Sequence, residues 1–152
     1  MTESVAILSA VATPVGKLQT AVDADIHTLE HEVLAKVVVE AMVDAGLDKS
    51  DVGSMVVAQC RPYTLQKYFS TFLANYLRMP CVGSVMEVLG NGMTGGIALE
   101  QAIRDVESGR SRAALALGVN FESATPSGEH MNSSMRATGD VDFHTPFGLT
   151  PI

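Results

Sequence analysis

The chain has no tryptophan, only two cysteines and few basic residues. The shortages of basic residues and of cysteine each argue against a class of partner or site. Its 152 residues carry 10 Lys and Arg against 17 Asp and Glu, for a formal net charge of −7. This acidic balance argues against DNA or RNA as the main partner. Cys60 and Cys81 have no metal-ligand spacing, so the sequence predicts no metal site, and in the cytosol no disulfide.

Long apolar runs and targeting signals are also missing. No uninterrupted apolar stretch is long enough to span a bilayer, and no positively charged region opens a secretory signal. We therefore expect a cytoplasmic protein that has no membrane partner.

What is present is the composition of a folded domain: 47% apolar and 18% charged residues. Apolar runs typical of buried strands lie at residues 5–8, 55–58, 82–88 and 113–117. Between them, periodic segments predict helices over residues 28–45, 64–77 and 95–108, with Gly46 and Gly109 as helix ends. The order β-α-β-α-β-α-β predicts an α/β fold with a mostly parallel sheet and helices on its faces.

The pattern divides the chain at residue 118. Residues 1–118 form the predicted α/β core, whereas residues 119–152 hold Asn, Ser, Thr, Gly and Pro with no period. An irregular segment of this length is uncommon in a compact domain unless it is functional or leads into further structure.

A glycine-rich turn stands between the third predicted strand and the third predicted helix. Gly90-Asn-Gly92-Met-Thr-Gly95 matches the dinucleotide fingerprint G-x-G-x-x-G in the context that the fingerprint requires. In this interpretation a pyrophosphate rests on free N–H groups at the helix N-terminus. However, the fingerprint normally follows the first strand, and no acidic residue ends the next strand. Glycines that merely permit a tight turn are the simpler alternative.

The order of several segments resembles the N-terminal part of the thiolase superfamily, nearest to the sterol-carrier-protein-type thiolases. The similar segments are VAILSAVATPVGKL, VVVEAMVDAGLDKSDVGSMVVAQ, IALEQAIRDVESGRSRAALALGVNFES and HTPFGLTP. The resemblance implies a three-layer α-β-α half of a thiolase, incomplete without its continuation or a partner. It also implies that residues 119–152 lead toward the family's loop domain.

The resemblance also implies a position for the family's nucleophile, a cysteine in a Cys-x-Ser-Gly turn at a helix start. Counting back from Ser108 and Gly109 places Gly92 there, with Thr94 and Gly95 at the serine and glycine positions. Counting forward from Glu87 gives Gly90 instead. The family's cysteine suits this position because a helix N-terminus stabilises a thiolate. Glycine cannot be acylated, so neither alignment, with Gly92 or with Gly90 at the nucleophile position, permits an acyl-enzyme. We expect Thr94 to cap the helix rather than to react.

Four further residues are candidates for contact with substrate or turn. Asn91 lies in the turn, and Asn120 follows the fourth predicted strand at the edge where α/β ligand sites form. The resemblance places Glu122 at the Glu of the family's Gly-x-Glu-Ser, with structural hydrogen bonding as the simpler role. His144 could line an acyl pocket or have no role. The resemblance implies that the family's general bases belong to a C-terminal half, and we expect residues 1–152 to end before it.

Two functions follow. The first is a thiolase-like protein that handles acyl-CoA thioesters without a covalent cofactor, as a fragment or partial subunit of a homo- or hetero-oligomer. Within it, the chain resembles thiolase-like retro-aldolases that lack the turn cysteine, and a catalytically silent scaffold is the alternative. Such retro-aldolases often work beside a zinc-ribbon/OB-type partner, and a second thiolase-like chain is the other candidate partner. The second function is a small NAD-type dinucleotide-binding module built on the glycine turn.

Overall fold

The structure, a computed structural model, describes residues 4–15, 26–59 and 68–120. In chain order these contain α1 (Ile26–Ala45), β1 (Val52–Gln59), α2 (Phe69–Leu77), β2 (Ser84–Val88), α3 (Thr94–Glu107) and β3 (Ala113–Val119). A single 3-10 turn, Asn91–Met93, precedes α3. No helix in this part of the chain is both long and apolar enough to cross a membrane.

The three strands form one parallel sheet in the order β2-β1-β3. The central strand β1 is buried on both faces because helices cover both sides of the sheet. On one face α1 and α2 pack on Met55 and Val57, and on the other α3 packs on Val56 and Ala58. The predicted α/β class, parallel sheet and three layers are therefore confirmed.

The predicted first strand, residues 5–8, is wrong. Residues 4–15 contain no helix or strand, and Ile7 and Leu8 are 73% and 59% exposed. The outer edge of β3 is free in the described sheet, but residues 5–8 pair with no strand, and their segment lies against α1 instead. There Ser9 Oγ donates a hydrogen bond of 2.6 Å to Asp44 Oδ2. The described order is consequently α-β-α-β-α-β.

The ends of the helices explain why the chain turns where it does. After α1, Gly46 adopts φ +65°, and its N–H bonds to the carbonyl of Val43 while the N–H of Leu47 bonds to that of Met42. This pattern is a Schellman motif, which satisfies the last carbonyls of the helix. Gly109, at φ +71°, follows α3, and its N–H bonds to the carbonyl of Val106, so both predicted stops are confirmed.

The second helix differs from its prediction at its start. The proposed cap, Thr64, lies outside the described residues. The described helix begins at Phe69, after Tyr68 in a left-handed conformation with no side-chain cap. The helix ends before Pro80, as expected. Arg78 is left-handed, and the N–H of Met79 donates to the carbonyl of Ala74.

A buried carboxylate fastens the amino-terminal edge of the sheet. Asp105, on the last turn of α3, is 1% exposed. It accepts hydrogen bonds from Ser84 Oγ at 2.5 Å, Gln101 Nε2 at 3.0 Å and Arg110 Nη1 at 3.0 Å. Burial disfavours the charged form of Asp105, but these donors and the Arg110 charge outweigh it, so its pKa is lowered. The network ties the start of β2 to the end of α3.

Candidate functional site

The carboxyl ends of all three strands lie at one edge of the sheet, and α2 and α3 begin there. In parallel α/β proteins this edge is where ligands bind, because loops and helix N-termini converge on it. Gln59 ends β1, Val88 ends β2 and Val119 ends β3. The glycine-rich turn joins β2 to α3 at this same edge, between a strand and a helix as the sequence predicted, and we take this edge as the candidate site.

Two hydrogen bonds set the conformation of the turn. The N–H of Met93 donates to the carbonyl of Gly90 at 3.1 Å, which closes the 3-10 turn. The N–H of Gly90 donates to Thr94 Oγ1 at 2.9 Å. Thr94 is fully buried and is the first residue of α3, while Met93 occupies the N-cap with no side-chain bond. The predicted cap was therefore misplaced: the Thr94 hydroxyl binds back to the turn.

The glycines of the turn differ in the space around them. A Cβ placed on Gly92 would meet no atom within 4 Å, and the same holds for Gly95 and Gly96. A Cβ on Gly90 would lie 2.6 Å from Cδ1 of Ile97. None of the four has a positive φ. At Gly92 the backbone can therefore carry a side chain that faces open space, directly before the N-terminus of α3.

The sequence analysis missed two polar side chains at this edge. Gln59 is 6% exposed, and its Nε2 has no hydrogen-bond partner in the described part of the chain. Glu87 accepts a hydrogen bond of 3.3 Å from the backbone N–H of Ser70 in the first turn of α2, where a carboxylate complements the helix dipole. The only sequence signal was a polar residue inside or ending an apolar strand.

Cys81 lies far from the turn. It precedes β2, whereas Gly90 follows that strand, so the two stand at opposite edges of the sheet. Cys81 is half-buried, and this burial raises the pKa of its thiol. A raised pKa disfavours the thiolate that nucleophilic chemistry needs. Cys60 lies outside the described residues.

Of the four remaining candidate residues, two lie in the described part of the chain. Asn91 belongs to the 3-10 turn, and Asn120 follows β3 as an exposed residue at the candidate site's edge. Glu122 and His144 lie outside the described residues. Within the described ranges, no three His, Cys, Asp or Glu side chains are grouped to hold a metal.

The dinucleotide interpretation lacks its acidic partner. The strand after the fingerprint, β3, contains no carboxylate and is followed by Asn120. The turn also follows β2, which is an edge strand and not the first strand of the described sheet. A ribose hydroxyl would thus find no acceptor of the usual kind at the end of β3.

The fold and the candidate site define a parallel α/β protein with a glycine turn at the edge where proteins of this class bind ligands. The Acat5 thiolase from Ascaris suum, in complex with coenzyme A, has a similar structure, with a TM-score of 0.66 and 21% identity over 79% of this chain. The acetyl-CoA acetyltransferase from Syntrophomonas wolfei is also similar, with a TM-score of 0.55 and 19% identity over 69% of this chain. No known family profile matches the chain, and no curated protein sequence matches it.

These similarities show that the described residues have the fold of one part of a thiolase. The matched region covers 31% of the Ascaris suum chain and 26% of the Syntrophomonas wolfei chain, so this chain spans about a third or less of either.

Proposed function

We propose that the chain binds acyl-CoA thioesters at the carboxyl edge of its sheet and does not form an acyl-enzyme. The observation that carries the proposal is Gly92. It lies exposed at the start of α3 with open space where a side chain would stand, in a fold shared with a thiolase that binds coenzyme A. A helix N-terminus attracts the partial negative charge of a thioester oxygen as it attracts a thiolate.

The loss of the side chain at Gly92 favours chemistry without a covalent nucleophile. Retro-aldol cleavage of a 3-hydroxyacyl-CoA is such a reaction. A base takes the hydroxyl proton, and the oxygen forms the C=O bond of a ketone or aldehyde product as the Cα–Cβ bond breaks. The electron pair of that bond leaves as the thioester enolate, which takes the proton back from the protonated base. The open volume at Gly92 leaves room for the substrate. The base would come from outside the described residues or from a partner, for which a zinc-ribbon/OB-type subunit or a second thiolase-like chain are our candidates.

Titration of the purified chain with acetyl-CoA, CoA and NADH tests the proposal. We expect saturable calorimetric binding of acetyl-CoA and no response to NADH. Intact-mass measurement after incubation with acetyl-CoA should show no acyl adduct. Saturable NADH binding that is lost in Gly92→Val would instead favour the dinucleotide-binding function, and a covalent adduct would refute the proposal that acyl-enzyme chemistry is absent.

Restoring a thiol tests the position of the missing nucleophile. In Gly92→Cys the new thiol would stand at the N-terminus of α3, where the helix dipole lowers a thiol pKa. We expect iodoacetamide to alkylate it at pH 7 about tenfold faster than Cys81, whose thiol pKa is raised by burial. Peptide mapping by mass spectrometry measures the alkylation of each cysteine separately, including that of Cys60.

Gly90→Cys is the matched control for the other register. Its Cβ would lie against Ile97, so we expect a slower reaction than at position 92. If Gly90→Cys reacts faster than Gly92→Cys, the nucleophile position belongs to Gly90 and our assignment is wrong.

A further inference from the structure

The central strand of the sheet ends in a buried amide. Gln59 is the last residue of β1 and is 6% exposed, and its Nε2 has no hydrogen-bond partner in the described part of the chain. The large majority of buried polar groups in proteins are hydrogen-bonded, because an unpaired buried donor destabilises the folded state. The Gln59 amide is therefore a candidate for a partner that the described chain does not itself supply.

Gln59 lies beside the glycine turn. The pairing of Ala58 with Val88 places Gln59 level with Leu89, the residue before Gly90. Neighbouring strands are about 4.8 Å apart, so the Gln59 side chain is within reach of a molecule bound at the turn. The unpaired donor and the glycine turn thus belong to the same candidate site.

The surroundings of Gln59 favour a neutral oxygen as its partner. Side chains alternate along a strand, so Gln59 lies on the same face of the sheet as Val57, which is the face that α1 and α2 cover. Glu87 pairs with Val57 on that face, and its carboxylate accepts the N–H of Ser70. An amide N–H needs an acceptor, and the nearby carboxylate disfavours a phosphate or carboxylate there. A hydroxyl or carbonyl oxygen meets both conditions.

The proposed substrate has such an oxygen at a suitable position. In the proposed function the thioester oxygen lies at the N-terminus of α3, which follows β2. A 3-hydroxyacyl thioester carries a second neutral oxygen at C3, two carbons from the thioester carbon. Because β1 is the neighbour of β2, an acyl chain that runs from the turn toward the middle of the sheet brings this oxygen to Gln59.

We propose that Gln59 recognises the C3 oxygen of a 3-hydroxyacyl thioester through a hydrogen bond donated by Nε2. The inference rests on the proposed thioester binding and names the residue that selects the acyl chain. In the retro-aldol step the hydroxyl proton goes to the base, and the Gln59 N–H keeps donating to the same oxygen as it becomes the carbonyl oxygen of the product.

Calorimetric titration of the full chain with butyryl-CoA and with each enantiomer of 3-hydroxybutyryl-CoA tests the proposal. The ligands differ only at C3, so the amide carbonyls that all CoA thioesters share cancel in the comparison. We expect one enantiomer to bind about tenfold more tightly than butyryl-CoA, as one neutral hydrogen bond permits. In Gln59→Met, which keeps an unbranched side chain and removes the donor, the ratio should fall below about twofold with the affinity for butyryl-CoA unchanged.

The stability of the ligand-free chain provides a second readout. Because Gln59→Met removes an unpaired buried donor, we expect the urea midpoint to rise by roughly 0.5 M. Asn75→Met is the matched control. It makes the same amide-to-thioether change at an exposed residue in the last turn of α2, and should alter neither the ligand preference nor the midpoint. Far-UV circular dichroism checks that both variants fold.

The outcomes separate this inference from the proposed function. If the parent chain binds butyryl-CoA and 3-hydroxybutyryl-CoA equally, thioester binding stands and the role of Gln59 is wrong. A preference that survives in Gln59→Met assigns the C3 oxygen to another group, and an equal loss of affinity for both ligands assigns Gln59 to a part that all CoA thioesters share. A lower urea midpoint with an unchanged preference means that the amide is structural. If the parent binds neither thioester, the proposed function fails and this inference fails with it.

Discussion

Replacing Asp105 by asparagine should destabilise the fold by about 2 kcal/mol. The carboxylate is 1% exposed and receives three donors, from Ser84, Gln101 and Arg110. Hydrogen bonds to a charged group are worth about 1.5–3 kcal/mol each, against about 1 for neutral pairs, and an amide can retain part of the network. Because Arg110 is 51% exposed, solvent screens its ion pair to less than about 1 kcal/mol.

Urea denaturation followed by circular dichroism measures this change. With a urea dependence of about 1–3 kcal/mol per molar for a small domain, a loss of 2 kcal/mol lowers the midpoint by roughly 1 M. Glu100→Gln on the same helix is the matched control. It breaks only the pair with Arg104, in which both side chains are at least 60% exposed, so we expect a change below about 0.5 kcal/mol.

The pH dependence provides a second readout. The pKa of Asp105 is lowered in the folded state from an unfolded value of about 3.9. Its contribution is therefore fully present above the unfolded pKa and is lost as pH falls through the folded pKa. The difference in stability between the parent chain and Asp105→Asn should be largest near pH 7 and should shrink below pH 4. An equal difference at pH 7 and pH 3, or none at pH 7, would refute the reasoning.

Two further predictions concern the backbone and the turn, and both are measured by urea denaturation. Gly46→Ala should cost about 1 kcal/mol, because position 46 has φ +65° and an open surrounding, so only the left-handed backbone opposes the methyl group. Gly95→Ala, in the first turn of α3 without positive φ, should instead stabilise by about 0.5 kcal/mol; equal effects would contradict the conformational explanation. Thr94→Val should cost about 1–2 kcal/mol because it removes the acceptor of the Gly90 N–H. Thr94→Ser should restore most of this loss, and if it does not, the hydroxyl is not what holds the turn.

The sequence predicted β1, which is buried on both faces, and the helices that end in glycine. The run around Met55 is apolar throughout because β1 is covered on both sides, so its composition alone revealed it. Gly46 and Gly109 marked helix ends because the left-handed conformation excludes most other residues. The same logic failed for residues 5–8, because whether an apolar run pairs with a sheet depends on a neighbouring edge, which no local pattern encodes.

The position of the glycine turn in the fold was predicted, but the contacts around it were not. A glycine turn between a strand and a helix was enough to locate the edge, since connections in α/β folds follow few rules. The role of Thr94 was misjudged because a hydroxyl at a helix start can accept a hydrogen bond either from the helix or from the preceding turn. The position of the Gly90 N–H decides between them, and it is a property of the tertiary structure. Gln59 escaped notice because its burial comes from the packing of the sheet, and Glu87 because its partner, the N–H of Ser70, belongs to α2.

By itself, the sequence determined the class of fold, the position of the glycine turn and the absence of a thiol there, because periodicity, glycine and residue identity are local properties. Only the tertiary structure decided that Gly92 faces open space while a side chain at Gly90 would meet Ile97. Only it showed that the outer edge of β3 has no partner strand among the described residues, because a strand edge is open or closed according to what the rest of the molecule brings to it.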